Sequence, residues 1–322
     1  MAVYTHVSRP ELDAFLAGYD LGAVTAFEGI GQGVENTNYA LTTTQGRFIL
    51  TLFEKRASES DLPFFAAAMA HCSSSGIPAP APVADRAGQL FGRLCSRPAA
   101  IFTFLKGRQR MAPSLQDCAI IGACAARLHL AARGFTMSRP NALSIDAWRS
   151  LASRCGPRAD EAAPRLAMLI QDELAFLETS WPVGLPSGLI HADLFPDNVF
   201  FDGDALSGVI DFYFACTDAF AYDLAITLNA WAGSAHGAFS APHATALLAG
   251  YQSVRALSAD ERVALPILLR GASLRILLTR LFDFLNRIDG AVVAVKDPLP
   301  YRDLLLFHQS APRSSYFGTE HD

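Results

Sequence analysis

The sequence has almost no lysine, no CxxC pair and no apolar stretch long enough to cross a membrane. Only 3 of its 26 basic residues are lysines, and the basic residues are scattered singly in a chain whose formal net charge is −5. Nucleic-acid-binding proteins usually carry a basic patch or stripe, so we expect no nucleic-acid partner. The apolar stretches fall short of the about 20 residues that a spanning helix requires, so we expect no membrane span.

The 6 cysteines lack the spacing of a zinc site or of a disulfide framework. Zinc-binding cysteines usually occur as CxxC pairs or with paired histidines, and neither pattern occurs here. We therefore interpret them as small buried hydrophobic residues. The first residues also lack the basic start and apolar run of a secretory signal, which predicts a cytoplasmic protein.

The first third of the chain is rich in strand-forming residues. The runs 39–43 and 48–53 are β-branched and aromatic and flank a Gln45-Gly46 turn, which predicts an antiparallel hairpin. Two more strands are expected at 89–94 and 100–105. These runs predict an N-terminal lobe built on an antiparallel sheet.

The pattern changes to long helices after residue 106. A helix is expected over 115–132, and leucines recur at helical spacing from Leu274 to Leu285. With 322 residues and 51% hydrophobic content, the chain has core material for two lobes. We predict an α+β fold with an N-terminal sheet lobe, residues 1–104, and a larger, mostly helical C-terminal lobe, residues 105–322. A cleft between two such lobes is the expected ligand site.

The most informative segment is residues 189–212, LIHADLFPDNVFFDGDALSGVIDF. Asp193 and Asn198 are five positions apart on one predicted loop, and Asp211 ends the hairpin that follows. Phosphoryl transfer needs a carboxylate that orients and deprotonates the attacking hydroxyl, and oxygen ligands that hold magnesium. These three residues supply that set. The alternative interpretation is that they only form turns, which Asp and Asn favour by bonding their own backbone.

A glycine-rich segment, GIGQGVENTNYAL at residues 29–41, precedes the first hairpin. Glycines let the backbone approach phosphate closely, and successive amides form an anion-binding nest. The segment therefore predicts a loop that covers a nucleotide, although an ordinary surface loop is the alternative. The candidate nucleotide-binding residues are Gly31, Gln32, Gly33, Val34, Asn36, Asn38 and Thr51.

These motifs resemble those of a known superfamily. HADLFPDN resembles the catalytic loop H-x-D-x-x-x-x-N of the protein-kinase-like superfamily, in the HGDLHPGN form of aminoglycoside phosphotransferases and choline kinases, and VIDF resembles their DFG segment. The resemblance implies a protein-kinase-like fold that uses ATP and Mg²⁺. It also implies that Asp193 is the catalytic base, that His191 organises the loop, and that Asn198 and Asp211 are the magnesium ligands.

A narrower resemblance spans nearly the whole chain. The strings ENTNYAL, GRFILTLFE, HADLFPDNVFF, YDLAITLNAW and LRILLTRLFDF occur in an order similar to that of the homoserine kinases of bacterial threonine biosynthesis. This resemblance implies L-homoserine as the substrate and O-phospho-L-homoserine as the product. Two alternatives stay open: a sister kinase acting on an aminoglycoside, choline or another alcohol, and a nucleotide-binding pseudokinase.

One position departs from the superfamily pattern. Its kinases usually carry a phosphate-pairing lysine on the strand that matches residues 48–53, and Thr51 occupies the expected place. Lys55 shares that strand face but lies about 13 Å further along. Either magnesium and the glycine-loop amides neutralise the phosphates alone, or Arg47, Lys55 or Lys106 contributes.

An amino-acid substrate calls for a cation, preferably arginine, at its carboxylate and for an acid or amide at its ammonium group. The candidate substrate-binding residues are Tyr213, Asp223, Arg275 and Arg280. Two alternatives compete with this interpretation. Arg280, Asp283 and Arg287 are also expected to form a solvated ion-paired face, and Asp223 to cap a helix or brace the catalytic loop.

Overall fold

The computed structural model describes residues 4–31, 36–54, 58–287, 295–312 and 314–317. The chain divides into two compact units, residues 1–107 with 207–213 and residues 108–206 with 214–322. Segment 207–213 is held in the first unit by two hydrogen bonds. The Val209 amide donates to the Pro78 carbonyl (2.8 Å), and the Ser207 hydroxyl donates to the Lys106 carbonyl (2.6 Å).

The first unit is built on an antiparallel sheet. Its strands follow the order β1-β2-β3-β6-β4, and β5 pairs with the free part of β6. The predicted hairpin and the two later strands are confirmed, with small shifts at their ends. The elements of this unit are α1 (Arg9–Leu16), β1 (Val24–Gly29), β2 (Thr37–Thr43), β3 (Gly46–Leu52), α2 (Leu62–Ser74), β4 (Pro82–Val83), β5 (Gly92–Leu94) and β6 (Arg97–Thr103).

The alternating burial of side chains along β2 shows how this sheet packs on the core. Every second residue of the strand is buried, as expected for a strand with one face on the core. Tyr39 stacks on Phe27 with 4.4 Å between ring centroids. Its hydroxyl donates to the Thr5 carbonyl (2.9 Å) and accepts from the Val7 amide (3.1 Å), so the buried phenol is satisfied.

The second unit is mostly helical. Strands β7 and β10 pair antiparallel, and β8 and β9 form a second two-stranded sheet. The two helices expected from the sequence are confirmed, although the second begins at Ala259, well before Leu274. The elements are α3 (Leu115–Ala131), α4 (Ile145–Cys155), α5 (Leu166–Ser180), β7 (Ser187–Ile190), β8 (Val199–Asp202), β9 (Ala205–Val209), which runs into the first unit, β10 (Cys216–Ala219), α6 (Phe220–Ala232), α7 (Ala241–Gln252), α8 (Ala259–Leu285), α9 (Leu299–Ser310) and α10 (Ser314–Phe317).

Two glycines let α3 and α7 pack backbone to backbone. A Cβ atom at Gly122 would lie 2.0 Å from the Leu247 carbonyl oxygen, and one at Gly250 would lie 2.0 Å from the Ala119 carbonyl oxygen. Contacts that short are impossible, so any larger residue would push the helices apart. The close approach brings His129 of α3 against Tyr251 of α7, which becomes important at the candidate site.

The cysteines and the apolar helices mostly match the sequence-based expectations. All 6 cysteines are free thiols, and all except Cys95 are buried. Cys95 is partly exposed because it lies in the turn between β5 and β6, where its φ is 51°. No helix in the described part of the chain combines the length and apolarity needed to cross a bilayer.

A buried histidine joins three helices of the second unit. His308 of α9 lies 2.8 Å from Asn229 Oδ1 of α6 through Nε2, and 2.8 Å from the Tyr316 hydroxyl of α10 through Nδ1. The Asn229 amide nitrogen donates elsewhere, to the Leu269 carbonyl and the Ser273 hydroxyl. Nε2 therefore carries the proton and Nδ1 accepts from the tyrosine, so the neutral imidazole is fully satisfied.

We predict that stability falls below pH 6.5 because of His308. Burial, together with the positive charge of Arg270, lowers the pKa of His308 to about 3. The unfolded chain therefore binds a proton that the folded chain does not, and the loss reaches about 2 kcal/mol between pH 6.5 and pH 5. Urea unfolding at several pH values should show a flatter dependence for His308→Gln. The exposed His236→Gln variant is the control and should keep the wild-type slope; equal slopes in wild type and His308→Gln would contradict the assignment.

Candidate active site

The HADLFPDN segment forms a tight loop between β7 and β8. The Phe195 amide donates to the Asp193 carbonyl (2.8 Å), and the Asn198 amide donates to the Phe195 carbonyl (2.9 Å). Pro196 to Asn198 form one turn of 3₁₀ helix. The backbone of the loop is thus fixed by its own hydrogen bonds. The side chains of Asp193 and Asn198 lie next to each other.

The Asn198 side chain holds Asp193 directly. Its Nδ2 donates to the Asp193 main-chain oxygen and to Asp193 Oδ2, both at 2.9 Å. Within the described residues, Asn198 Oδ1 accepts no hydrogen bond and is left as an oxygen donor. An amide oxygen is among the ligand types that Mg²⁺ accepts, so Asn198 is free to act as the metal ligand that the sequence predicts. No cluster of three or more His, Cys, Asp or Glu side chains suited to a metal occurs in the described ranges.

The environment of Asp193 makes its carboxylate more basic than an ordinary aspartate. Burial raises the pKa of Asp193 to about 6; the Arg275 cation opposes the rise, while the negative charge of Asp197 adds to it. Asp197 is itself paired with Lys296 at 2.8 Å. A carboxylate with a pKa near 6 is ionised at neutral pH and accepts a proton more readily than a normal aspartate.

Ala192, just before Asp193, has a backbone conformation that alanine rarely adopts. Its φ is 61°, in the left-handed region that costs a non-glycine residue roughly 1–2 kcal/mol. Both ends of the residue are held by charged side chains. Its amide donates to Asp223 Oδ1 (2.7 Å), and its carbonyl accepts from Arg275 Nη1 (2.6 Å).

Asp223, at the start of α6, is the buried brace of the loop. Its Oδ2 accepts from the His191 amide (3.2 Å) and lies 2.9 Å from His129 Nε2, while Oδ1 accepts from Ala192. Burial alone would raise the pKa of Asp223, but the hydrogen bonds from His129 and the loop keep it below its ordinary value. The side chain is fully buried with both oxygens engaged. Asp223 therefore braces the loop, as the alternative interpretation expected.

A chain of buried polar groups extends from this brace. His129 Nδ1 lies 2.8 Å from the Tyr251 hydroxyl, which accepts from Arg255 Nη1 at 2.9 Å. Arg255 is in turn paired with Glu261 at 2.8 Å. Because the arginine donates to the tyrosine oxygen, the hydroxyl proton goes to Nδ1, and Nε2 donates to Asp223. Nothing in the sequence indicated this hydrogen-bonded series, because each of its members is a single polar residue inside an apolar helical pattern.

His191 lies inside the same loop. Its imidazole is fully buried, and Nδ1 accepts from the Asp193 amide at 3.2 Å. This contact is with the main chain of Asp193. This position suits a residue that orients the loop.

In the first unit, Asp211 lies two residues after Val209, the end of β9, and has a φ of 67°. Non-glycine residues in this region often lie at functional sites, because the surrounding structure must hold them there. Tyr213, two positions later, packs edge-on against Phe53 and Phe65, with centroid distances of 5.6 and 5.7 Å. The tyrosine ring is thus part of an aromatic cluster of this unit.

The predicted nucleotide-binding residues are only partly described. Thr51 is buried and donates to Asn38 Oδ1 (2.7 Å) across the β2–β3 pair. The Asn36 side chain accepts a long hydrogen bond from the Glu54 amide (3.4 Å). A Cβ atom at Gly31 would meet no atom of the described residues within 4 Å. Gln32, Gly33 and Val34, and also Lys55, lie outside the described residues.

The candidate arginines of α8 differ in their surroundings. Arg280 donates to the Asp297 carbonyl (3.2 Å) and lies over the Tyr301 ring at 4.6 Å. Arg287 donates to the Phe284 carbonyl (2.8 Å). The ion-paired face expected over Arg280, Asp283 and Arg287 stays a prediction. Arg275 is instead buried against the catalytic loop.

Comparison with known proteins identifies the family of the chain. The phosphotransferase enzyme family matches residues 26–257. The chain is 54% identical over 321 residues to a homoserine kinase of Methylobacterium radiotolerans, covering 100% of both chains, and 50% identical over 318 residues to one of Rhizobium etli, covering 99% of both.

Solved structures agree on the fold. A spectinomycin phosphotransferase superposes with a TM-score of 0.71 at 12% identity, covering 97% of this chain and 100% of that one. A choline/ethanolamine kinase family protein of Mesorhizobium loti gives 0.62 at 18% identity, covering 96% and 97%. The predicted protein-kinase-like α+β fold is therefore confirmed.

We predict that Asp223→Asn unfolds more easily than the wild type. An asparagine presents one oxygen and one amide group to three N–H donors, so at least one buried donor loses its partner. Leaving a buried donor without its partner typically costs about 1–3 kcal/mol. Urea unfolding measures the loss, with the exposed Asp172→Asn as the matched control. If Asp223 bound substrate instead, the variant would keep its stability and show a raised KM.

Proposed function

The chain belongs to the phosphotransferase enzyme family, in which its full-length relatives are homoserine kinases, and we propose the residues with which it phosphorylates the hydroxyl of L-homoserine. The identity of 54% over the whole chain carries the choice of substrate. The product, O-phospho-L-homoserine, belongs to threonine biosynthesis. A reaction that consumes ATP also fits the cytoplasmic location predicted from the sequence.

In this proposal Asp193 is the catalytic base. The homoserine hydroxyl oxygen attacks the γ-phosphorus of ATP, the bond from that phosphorus to the bridging β-γ oxygen breaks, and ADP leaves. The hydroxyl proton moves to Asp193 as the new bond forms. The hydrogen bonds from Asn198 orient the carboxylate, and its raised pKa makes it a better acceptor. His191 keeps the loop in shape from within.

We assign Asn198 and Asp211 as the ligands of magnesium. When bound, the ion neutralises charge on the phosphates during transfer. The oxygen of Asn198 that accepts no hydrogen bond among the described residues supports its part in this assignment. For Asp211, the support is its place in the VIDF segment and its left-handed backbone.

We assign nucleotide binding to the first unit, and catalysis and substrate binding to the second. Gly31 and the neighbouring loop amides, with Asn36, Asn38 and Thr51, are proposed to face ATP. Because Thr51 pairs with Asn38 where relatives of this fold carry lysine, phosphate charge is balanced by magnesium and loop amides. Tyr213, Arg275 and Arg280 stay candidates for binding the substrate, whereas Asp223 is now assigned to bracing the loop.

Membership of a family of enzymes removes the pseudokinase alternative, and a substrate panel separates the sister kinases. With ATP and Mg²⁺, we expect kcat/KM for L-homoserine to exceed that for choline or an aminoglycoside by about 100-fold or more. A pocket that pairs both charges of an amino acid leaves some of its buried polar groups unpaired when choline or an aminoglycoside binds. Formation of ADP and of each phosphorylated product is the measurement. A preference for choline or the aminoglycoside would show that the chain is a sister kinase.

Asp193→Asn should fold normally and lose kcat by about 10²–10⁴-fold, because the amide keeps the shape of the side chain but accepts no proton. The exposed Asp202→Asn, at the end of β8, is the matched control and should keep wild-type turnover. Near-normal turnover by Asp193→Asn would refute the role of base.

Asp211→Asn should raise the magnesium concentration needed for half-maximal activity by about 10-fold or more, because a neutral oxygen binds the ion less tightly than a carboxylate. Activity is measured against free Mg²⁺ at saturating ATP, again beside Asp202→Asn. An unchanged magnesium requirement would count against Asp211 as a ligand.

A further inference from the structure

Lys296 lies beside the catalytic loop, although 99 positions separate it from its partner there. Its Nζ is 2.8 Å from Oδ2 of Asp197, the residue before the proposed magnesium ligand Asn198. Both charges are close enough to act on Asp193, the proposed base: Asp197 raises the pKa of that carboxyl, and Lys296 lowers it. One cation and one anion therefore lie next to the place proposed for the acceptor hydroxyl.

Both side chains of this ion pair can be reached from solvent. The Lys296 side chain is 61% exposed, and that of Asp197 is 35% exposed. Arg275, the other cation that acts on Asp193, is only 2% exposed and donates to the Ala192 carbonyl. A small solute can therefore approach the ion pair, whereas Arg275 is enclosed by the protein.

The start of α9 holds Lys296 beside the loop. Arg280 Nη1 donates to the Asp297 carbonyl (3.2 Å), and its guanidinium lies over the Tyr301 ring at 4.6 Å. Tyr301 is buried, and its ring centroid is 6.5 Å from that of Phe195 in the catalytic loop. These contacts do not involve the lysine side chain. The position of Lys296 is thus set by its neighbours and is kept when the ion pair opens.

An ion pair this exposed costs little to open, because water solvates both charges once they separate. The Gln109 side-chain amide donates to the Asp197 carbonyl, so the main chain stays in place when the carboxylate turns away. A zwitterion that offers a carboxylate to the lysine and an ammonium group to the aspartate replaces one ion pair with two. The arrangement of charges therefore suits an amino acid.

The length of L-homoserine also suits this arrangement. Four single bonds separate its hydroxyl oxygen from its carboxylate carbon, and four separate that oxygen from its ammonium nitrogen. Each charged group therefore lies within about 5 Å of the hydroxyl oxygen. Asp197 follows Asp193 on the same tight loop, and Asn198, the next residue, donates to Asp193 Oδ2 at 2.9 Å. A hydroxyl at Asp193 would thus leave both charged groups near the ion pair.

We propose that this ion pair opens for the substrate, so that Lys296 binds the α-carboxylate of L-homoserine and Asp197 binds its α-ammonium group. This inference rests on the proposed function and chooses Lys296 over Arg275 and Arg280 as the cation for the carboxylate. Arg280 then has a positioning role, since it holds the segment that carries Lys296. The pair selects acceptors that carry both charges of an amino acid.

The test compares three acceptors with the same primary hydroxyl. L-Homoserine has both charges, L-homoserinamide lacks the carboxylate charge, and 4-hydroxybutyrate lacks the ammonium group. For the wild type, kcat/KM for homoserine should exceed that for each analogue by about 10-fold or more, the scale of one hydrogen bond to a charged group. Formation of ADP and of each phosphorylated product is the measurement.

The two variants should lose opposite specificities. Lys296→Met should lower kcat/KM by about 10-fold for homoserine and 4-hydroxybutyrate and leave the value for homoserinamide unchanged. Asp197→Asn should lower it by about 10-fold for homoserine and homoserinamide and leave the value for 4-hydroxybutyrate unchanged. Lys296→Arg keeps the charge and should keep most of the wild-type preference.

The ion pair between Arg149 and Glu178 supplies the matched control. Its partners are 2.9 Å apart, and their side chains are 56% and 34% exposed, so its exposure matches that of the proposed site. Arg149→Met and Glu178→Gln should keep the wild-type values on all three acceptors.

The possible results separate this site from the proposed function. Equal losses on all three acceptors in either variant would show a residue that only shapes the loop, and would overturn the contact assigned to it. If a variant fails to fold, the wild type decides: equal use of homoserine and both analogues overturns the site, and the expected preference supports it. A wild type that phosphorylates none of the three acceptors overturns the proposed substrate.

Discussion

The catalytic loop depends on one buried carboxylate, that of Asp223. It accepts the amides of two consecutive loop residues, His191 and Ala192, and so fixes the peptide that precedes Asp193. Ala192 has a positive φ that an alanine adopts only when the surroundings hold it there. The carboxylate of Asp223 supplies that hold because it stays ionised in the core, where hydrogen bonds to charge are strong.

A series of buried hydrogen bonds in the second unit holds this carboxylate in place. His129 and Tyr251 connect Asp223 to Arg255 and Glu261, and each member of the chain is nearly or fully buried. The two helices that carry His129 and Tyr251 meet at glycines, so their spacing is set by backbone contact. The closely packed helix pair therefore holds the brace of the loop that carries Asp193, the proposed base, and phosphoryl transfer requires mainly positioning and charge from the protein.

Opposing effects act on the pKa of Asp193. Burial raises the pKa of its carboxyl to about 6, while the positive charge of Arg275 keeps it from rising further. Arg275 also fixes the carbonyl of Ala192, so the same side chain acts on the shape and on the electrostatics of the loop. In the first unit, a neutral pair, Thr51 and Asn38, stands where this fold usually has a lysine. In the proposed mechanism, magnesium would therefore have a larger share in balancing phosphate charge.

The sequence by itself determined the local elements and the chemical groups. Period-two and helical patterns predicted β2, β3, α3 and α8 because side-chain spacing follows directly from strand and helix geometry, and the HADLFPDN loop indicated Asp193 and Asn198. Tertiary structure alone decided that Asp223 braces the loop and that Arg275, 83 positions from Ala192, holds its carbonyl. Such pairings depend on how distant helices pack, since the partners of a buried polar group are chosen by the three-dimensional core and leave no periodic trace in the chain.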